Sequence, residues 1–199
     1  MIRAIIFDCF GVLITDAFQG IVNELREINP DKAEQISVLV RASNKGQIDP
    51  NSYRSAIADI LGTTVDEHIS KVNDGEIKNQ QLFEYIKNLR RTYKIGLLSN
   101  VSIGGLNRRF TDKELEDHFD EVVASGDIGY AKPEAQAYEI AADRLGVRLD
   151  ECIMVDDRDE YCVGAVGVGM QAIQYISLGQ LKSNLGQIIK QTSQESSSS

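Results

Sequence analysis

The chain has 199 residues, 42% of them hydrophobic and 26% charged, which suits one α/β domain carrying an insertion and excludes a disordered or fibrous chain. A net charge of -9 speaks against a nucleic-acid partner, because phosphate backbones are held by clustered Lys and Arg. No run approaches the roughly 20 apolar residues of a membrane helix, the short apolar start does not resemble a signal peptide, and three cysteines (Cys9, Cys152, Cys162) lack CxxC spacing; a cytoplasmic protein with reduced thiols, no structural zinc and no membrane partner is expected.

Residues 2–7 form a short apolar run that ends in Asp8-Cys9-Phe10-Gly11, the pattern of a strand buried on both faces where it emerges into a loop. Residues 15–74 then break the rhythm with helical stretches at about 17–28, 31–43, 50–61 and 64–73 and no strand, which predicts an inserted helical subdomain. Asp49-Pro50 has the character of a helix start. A helix over 79–93 leads to a second apolar run, 94–98, ending in Ser99-Asn100. Further runs follow at 121–124, ending in Ser125-Gly126-Asp127; at 152–155, ending in Asp156-Asp157; and at 170–175. Helical periodicity fills the gaps at 133–145 and 161–168. Strands alternating with helices predict a Rossmann-like, doubly wound parallel sheet, built from residues 1–14 and 75–190. The polar tail 191–199, ending in four serines, is expected to be disordered.

In a doubly wound sheet, ligands bind beyond the carboxyl ends of the strands. Four sites, each expected at the end of a predicted strand, lie there: Asp8 with Gly11, Ser99 with Asn100, Lys132 with Pro133, and Asp156 with Asp157. Singly, each reads as turn or capping chemistry. Together they make a phosphoryl-transfer set. A carboxylate can attack phosphorus and split one hard hydrolysis into two easier steps. The charge this brings together calls for a hard cation with oxygen ligands, and Mg2+ between Asp8 and Asp157 is the expected arrangement. Ser99 would donate to a phosphate oxygen, Lys132 would supply positive charge, and Asp156 would orient Lys132 or a metal-bound water.

In that order, Ile-Ile-Phe-Asp8-Cys-Phe-Gly-Val-Leu, Leu-Leu-Ser99-Asn, Ala-Lys132-Pro-Glu and Met-Val-Asp156-Asp157 resemble motifs I to IV of the haloacid-dehalogenase-like (HAD) hydrolases. The segment Gly46-Gln-Ile-Asp49 is similar to one in that superfamily's small helical caps, and Ser125-Gly-Asp127-Ile-Gly129 also resembles the family. The likeness is strongest to compact sugar-phosphate phosphatases and to the phosphatase-like domain of epoxide hydrolases. It implies a Mg2+-dependent phosphatase for a small phosphorylated metabolite, as a monomer or homodimer. Asp8 would be nucleophile and metal ligand, the Phe10 carbonyl and Asp157 further ligands, and Ser99, Asn100 and Lys132 the phosphoryl-binding groups.

Two positions depart from the family pattern. Phe10 stands where an Asp commonly serves as general acid and base, and Tyr161 where Asn or Asp is frequent. Phe10 therefore keeps two alternatives open: a non-catalytic binding or regulatory protein, and a metal-independent haloacid dehalogenase, against which the Asp156-Asp157 pair argues. Cys9 reads as a small buried hydrophobe, His68 and His118 as structural or solvated residues of surface helices, and Arg90-Arg91 and Arg108-Arg109 as solvated helix charges. Arg41 and Lys45 in the cap are candidates for touching a substrate.

Overall fold

A computed structural model describes residues 1–196, and side chains to residue 191. The first strand, β1 (Ala4–Phe7), is followed by four helices, α1 (Ala17–Ile28), α2 (Pro30–Asn44), α3 (Pro50–Leu61) and α4 (Val65–Gly75). Then come α5 (Gln80–Leu89), β2 (Lys94–Ser99), α6 (Asp112–His118), β3 (Glu121–Ala124), the single turn α7 (Ser125–Ile128) and α8 (Ala135–Leu145). The chain continues through β4 (Cys152–Asp156), α9 (Asp159–Gly167), β5 (Gln171–Gln174) and α10 (Leu178–Ser196). All strands are parallel, in the order β3-β2-β1-β4-β5, which is the expected doubly wound sheet.

The near-continuous apolar strands follow from burial on both faces. Ile5 and Phe7 of β1 pack with Leu82 and Ile86 of α5 and with Leu181 and Leu185 of α10. On the other face, Ala4 and Ile6 meet Ala137, Tyr138 and Ala141 of α8 and Ala165 of α9. Helix starts are fixed locally by side chains that accept otherwise unpaired N–H groups: Asp16, Asn29, Asp49 and Asn79 at single bonds, Thr64 and Thr111 in reciprocal capping boxes with Glu67 and Glu114.

Helices α1 to α4 share a small core of Val22, Ala33, Ile36 and Ile57. They join the sheet through two neighbouring segments that bond to each other. Asn79 N–H donates to Leu13 O (2.8 Å), Thr15 N–H to Ile77 O (3.1 Å), and Ile77 N–H to Thr15 Oγ1 (2.8 Å).

At the C-terminus, α10 runs to Ser196, past Gln191, where the sequence suggests that a disordered tail begins; residues 197–199 lie outside the described residues. Extending a helix already anchored by Leu181 and Leu185 costs far less than nucleating one, so a Gln- and Ser-rich stretch can continue it. His68 and His118 are buried, at 8% exposure each, rather than solvated. His118 Nδ1 donates to Glu114 O (2.7 Å) and its ring meets that of Phe83 edge-on. No helix among the described residues is long and apolar enough to cross a membrane.

Candidate active site

Register places the site. Phe7 pairs with Leu97 on one side and Val155 on the other, so Asp8, Ser99 and Asp156 leave the sheet at one rim. Asp8 N–H still donates to Val155 O (2.9 Å), which holds its side chain upright at the strand end. From the loop before α8, the fully buried Lys132 enters the same point. Its Nζ donates to Asp8 Oδ1 (2.6 Å) and Asp156 Oδ2 (2.5 Å).

Asn100 sets that lysine in place. Its side-chain Nδ2 donates to Lys132 O and its Oδ1 accepts from Lys132 N, both at 2.8 Å. The amide expected to help bind a phosphoryl group is thus engaged by Lys132's backbone, leaving Asn100's main chain for that task. Ser99 differs: its Oγ is buried and has no hydrogen-bond partner among the described residues. An unmet buried hydroxyl costs free energy unless something binds there. Asp156, fully buried, divides its oxygens between Lys132 and the N–H of Arg158 (3.0 Å).

Carboxylate oxygens of Asp8, Asp156 and Asp157 lie within 4.8 Å of one another. Burial, offset by the Lys132 charge and reinforced by Asp156, pushes Asp8 up to about 7. Burial and then the Asp156 charge push Asp157 up to about 6. Lys132 moves the other way: burial pulls its pKa down, but the Asp8 and Asp156 charges outweigh it and hold it above its ordinary value. Gly11 is required beside this cluster. Its φ is +83°, and a Cβ there would run into the Asp157 carboxylate.

The donor set fits a hard divalent cation. Three carboxylates offer oxygen ligands around one ammonium, and a cation among them would oppose the burial that raises the Asp8 and Asp157 values. Cys9 has no part in this chemistry. Burial and then the charge of Asp8 push its thiol well above the ordinary range, which keeps it protonated and inert.

Phe10 sits under the guanidinium of Arg109, 4.8 Å from its ring centroid. Arg109 also donates to Glu76 Oε1 through Nε (3.0 Å) and Nη2 (2.6 Å), and both side chains are largely buried. The reading of Arg108-Arg109 as solvated helix charges is corrected for Arg109. Residues 101–111 form a turn-rich loop, and Gly104-Gly105 was the available signal for it. Tyr161 lies beneath Lys132 Nζ, 5.1 Å from the ring centroid, and its hydroxyl accepts from Arg158 (3.0 Å).

Above the rim lies an open cleft of about 1070 Å³, lined by the rim and by residues of α1 to α4. Asp8, Phe10, Asn100, Lys132 and Asp157 form its floor, while Arg41, Lys45, Tyr53, Arg54, Arg108 and Arg158 reach it from the walls. Lys45, one of the cap candidates, is paired with Glu134 (2.9 Å), and Arg41 with Glu34 (2.9 Å). Tyr53, Arg54 and Arg158 carried no recognisable motif in the sequence, because the cap and the loops reach this cavity only through the fold.

A parallel α/β sheet with a carboxylate at the end of its first strand, a buried lysine and an acidic pair defines a hydrolase core with an inserted helical layer. The model of the haloacid dehalogenase-like hydrolases matches residues 2–165, and the chain belongs to that family. It is 36% identical over 94 residues to phosphatase MT3486 of Mycobacterium tuberculosis, a match covering 47% of this chain and 43% of the relative. It is 33% identical over 82 residues to a glyceraldehyde 3-phosphate phosphatase of Methanothermobacter thermautotrophicus, covering 41% and 36%. The matches thus span less than half the length of these curated relatives. In structure it is similar to a HAD family enzyme of Bacteroides thetaiotaomicron solved with magnesium and inorganic phosphate, with a TM-score of 0.73 at 20% identity over 89% of this chain and 96% of that one.

Proposed function

We propose that the protein is a Mg2+-dependent phosphomonoester hydrolase that acts on a small phosphorylated metabolite through a phospho-Asp8 intermediate. The observation that carries this reading is the three-carboxylate cluster around a single buried lysine, beside a buried Ser99 hydroxyl with no protein partner. Asp8, Asp157 and the Phe10 carbonyl would hold the cation. When bound, Mg2+ would keep both carboxylates ionised and offset the charge of the phosphoryl oxygens.

The chain's own groups do the rest. Asp8 attacks phosphorus in line with the leaving oxygen, and the bond from phosphorus to that oxygen breaks. Ser99 Oγ and Lys132 Nζ donate to the equatorial oxygens, where charge accumulates. Asp156 holds Lys132 charged and in place, and Asn100 fixes its backbone. Water then attacks the phospho-Asp8, releasing orthophosphate and restoring the carboxylate. With Phe10 in the position two beyond Asp8, no side chain there can protonate the leaving oxygen, so substrates whose leaving group departs as a stable anion are favoured.

Phe10 also motivates a second reading, a binding protein that has kept the site without turnover. Hydrolysis of p-nitrophenyl phosphate separates the two, because its leaving group needs little protonation. Turnover that requires Mg2+, stops on chelation and disappears in Asp8→Asn is expected. Absence of turnover at high protein concentration favours the binding reading, and metal-independent release of chloride from chloroacetate would favour a dehalogenase instead.

A further inference from the structure

Three polar groups in the cavity wall are left without acidic partners. Tyr53 and Arg54 come from α3 in the helical insertion, and Arg108 comes from the loop after β2, so the two sides of the cavity meet here. Arg54 donates only to the Asn51 side chain (3.2 Å), and Arg108 only to Gly104 O (3.2 Å) and Ser102 Oγ (3.3 Å). Neither forms an ion pair among the described residues, and the Tyr53 hydroxyl has no hydrogen-bond partner among them. The cations nearer the nucleophile are all committed: Lys132 to Asp8 and Asp156, Arg109 to Glu76, and Lys45 to Glu134.

The groups feel one another. Burial, followed by the charges of Arg54 and Arg109, holds the Arg108 guanidinium below its ordinary value. Burial pushes the Tyr53 hydroxyl up to about 12, against the pull of Arg109 and Arg108. Three carboxylates are felt there, and none forms an ion pair with Arg54 or Arg108: Glu76 pairs with Arg109, Asp16 accepts from the N–H of Gln19 in the first turn of α1 (2.9 Å), and the exposed Asp49 accepts from the N–H of Ser52 (2.8 Å). Two guanidinium groups lining one space, neither with an ion-pair partner among the described residues, repel each other in the free protein. A bound oxyanion would turn that repulsion into charge-assisted hydrogen bonds, with the Tyr53 hydroxyl as a further donor.

We propose that Arg54, Arg108 and Tyr53 form a subsite for a second oxyanion on the substrate, a carboxylate or a second phosphoryl group, held across the cavity from Asp8. The inference rests on the reading of Asp8, Ser99 and Lys132 as a phosphoryl site. Tyr53 and Arg54 come from α3 and not from the rim that carries Asp8, so the second group belongs to the leaving portion of the molecule and not to the transferred phosphoryl.

Competitive inhibition of p-nitrophenyl phosphate hydrolysis tests this without requiring fast turnover of the inhibitor. Two matched pairs serve as probes. In the first, 3-phosphoglycerate and glycerol 3-phosphate differ by a carboxylate in place of a hydroxymethyl group. In the second, fructose 1,6-bisphosphate and fructose 6-phosphate differ by a phosphoryl group. The doubly anionic member of at least one pair should inhibit about tenfold more tightly or better, and the pair that shows this identifies the kind of oxyanion. In the Arg54→Gln/Arg108→Gln double variant the ratio should collapse to near one, while Arg54→Lys/Arg108→Lys should keep part of it by retaining the charge. Equal inhibition within both pairs, or a preference that survives in the Gln double variant, overturns the subsite and leaves the phosphatase reading intact. If the wild-type protein shows no Mg2+-dependent hydrolysis of p-nitrophenyl phosphate, both readings fall.

Discussion

Phe10 has a cation above its ring, and this decides what a carboxylate restored at that position could do. An Asp placed there would lie beneath the Arg109 guanidinium, which favours its ionised form and so opposes its use as an acid at neutral pH. Phe10→Asp is therefore expected to raise turnover of an alkyl phosphate by less than about tenfold, against the ~10² to 10⁴ that a working general acid contributes. Rates for glycerol 3-phosphate and p-nitrophenyl phosphate, compared in both proteins, check this. A gain of ~10² or more confined to the alkyl ester would mean that the native site is a phosphatase that has merely lost its acid. A second residue-scale prediction concerns His68. Its ring packs edge-on against Phe18 (5.5 Å between centroids), and its Nδ1 is buried without a partner. Burial, then the charge of Lys71, lower its pKa from 6.5. Below 6.5 the unfolded chain takes up a proton that the folded chain refuses, so this residue's contribution to stability is lost as pH falls from there to the folded value. Urea unfolding of wild type and His68→Phe at about pH 7.5 and about pH 5.5 should show a smaller acid loss in the variant. An identical loss in both proteins would remove His68 as a source of it.

Among the elements, one buried ion pair helps to join the insertion to the sheet. Glu76 caps the end of α4, and Arg109 reaches it from the loop after β2 while also covering Phe10. Removing one partner leaves the other charge buried, so Glu76→Gln should cost about 3 kcal/mol in chemical denaturation. A loss below about 1 kcal/mol would mean that Arg109 finds solvent or another acceptor. This pair also marks the limit of what the sequence reveals. The five strands were legible because burial on both faces writes itself as unbroken apolar runs, and the helices of the insertion because Asp49-Pro50 and the apolar spacing declare them. Asp8, Ser99, Asp156 and Asp157 were legible as candidates because strand ends in such a sheet converge on one rim, whereas Lys132, expected at a strand end, reaches that rim from the loop before α8. Glu76 and Arg109 are 33 positions apart on different elements, and no local pattern links them. Asn100 was legible as a site residue, but the pairing of its amide with the backbone of Lys132 depends on how the two loops meet. The helical continuation to Ser196 was hidden for a different reason, since composition records weak propensity and not the anchoring of the preceding turns.

For the molecule as a whole, the open question is how closely the helical insertion must sit on the rim for the site to work. The contact is tight at one point. Gly46, in the turn after α2, has a φ of +67°, and a Cβ there would come 2.5 Å from Gly126 O at the start of α7. Ser125, beside it, bonds through Oγ to Val101 N (2.9 Å) in the loop that follows Ser99 and Asn100. A side chain at Gly46 would push on the segment that supports the proposed phosphoryl site, or lift the insertion away from it. Gly62, the C-cap of α3, provides a matched control: its φ of +72° is as unfavourable for a β-branched residue, but nothing lies within 4 Å of a Cβ there. Gly46→Val and Gly62→Val should therefore both lower the melting temperature through backbone strain of about 1 to 2 kcal/mol. Only Gly46→Val should also lower kcat/KM for p-nitrophenyl phosphate, by about tenfold if 1.4 kcal/mol of the steric cost is transferred to the site. Equal kcat/KM in the two variants would show that catalysis at the rim is independent of how the insertion is seated.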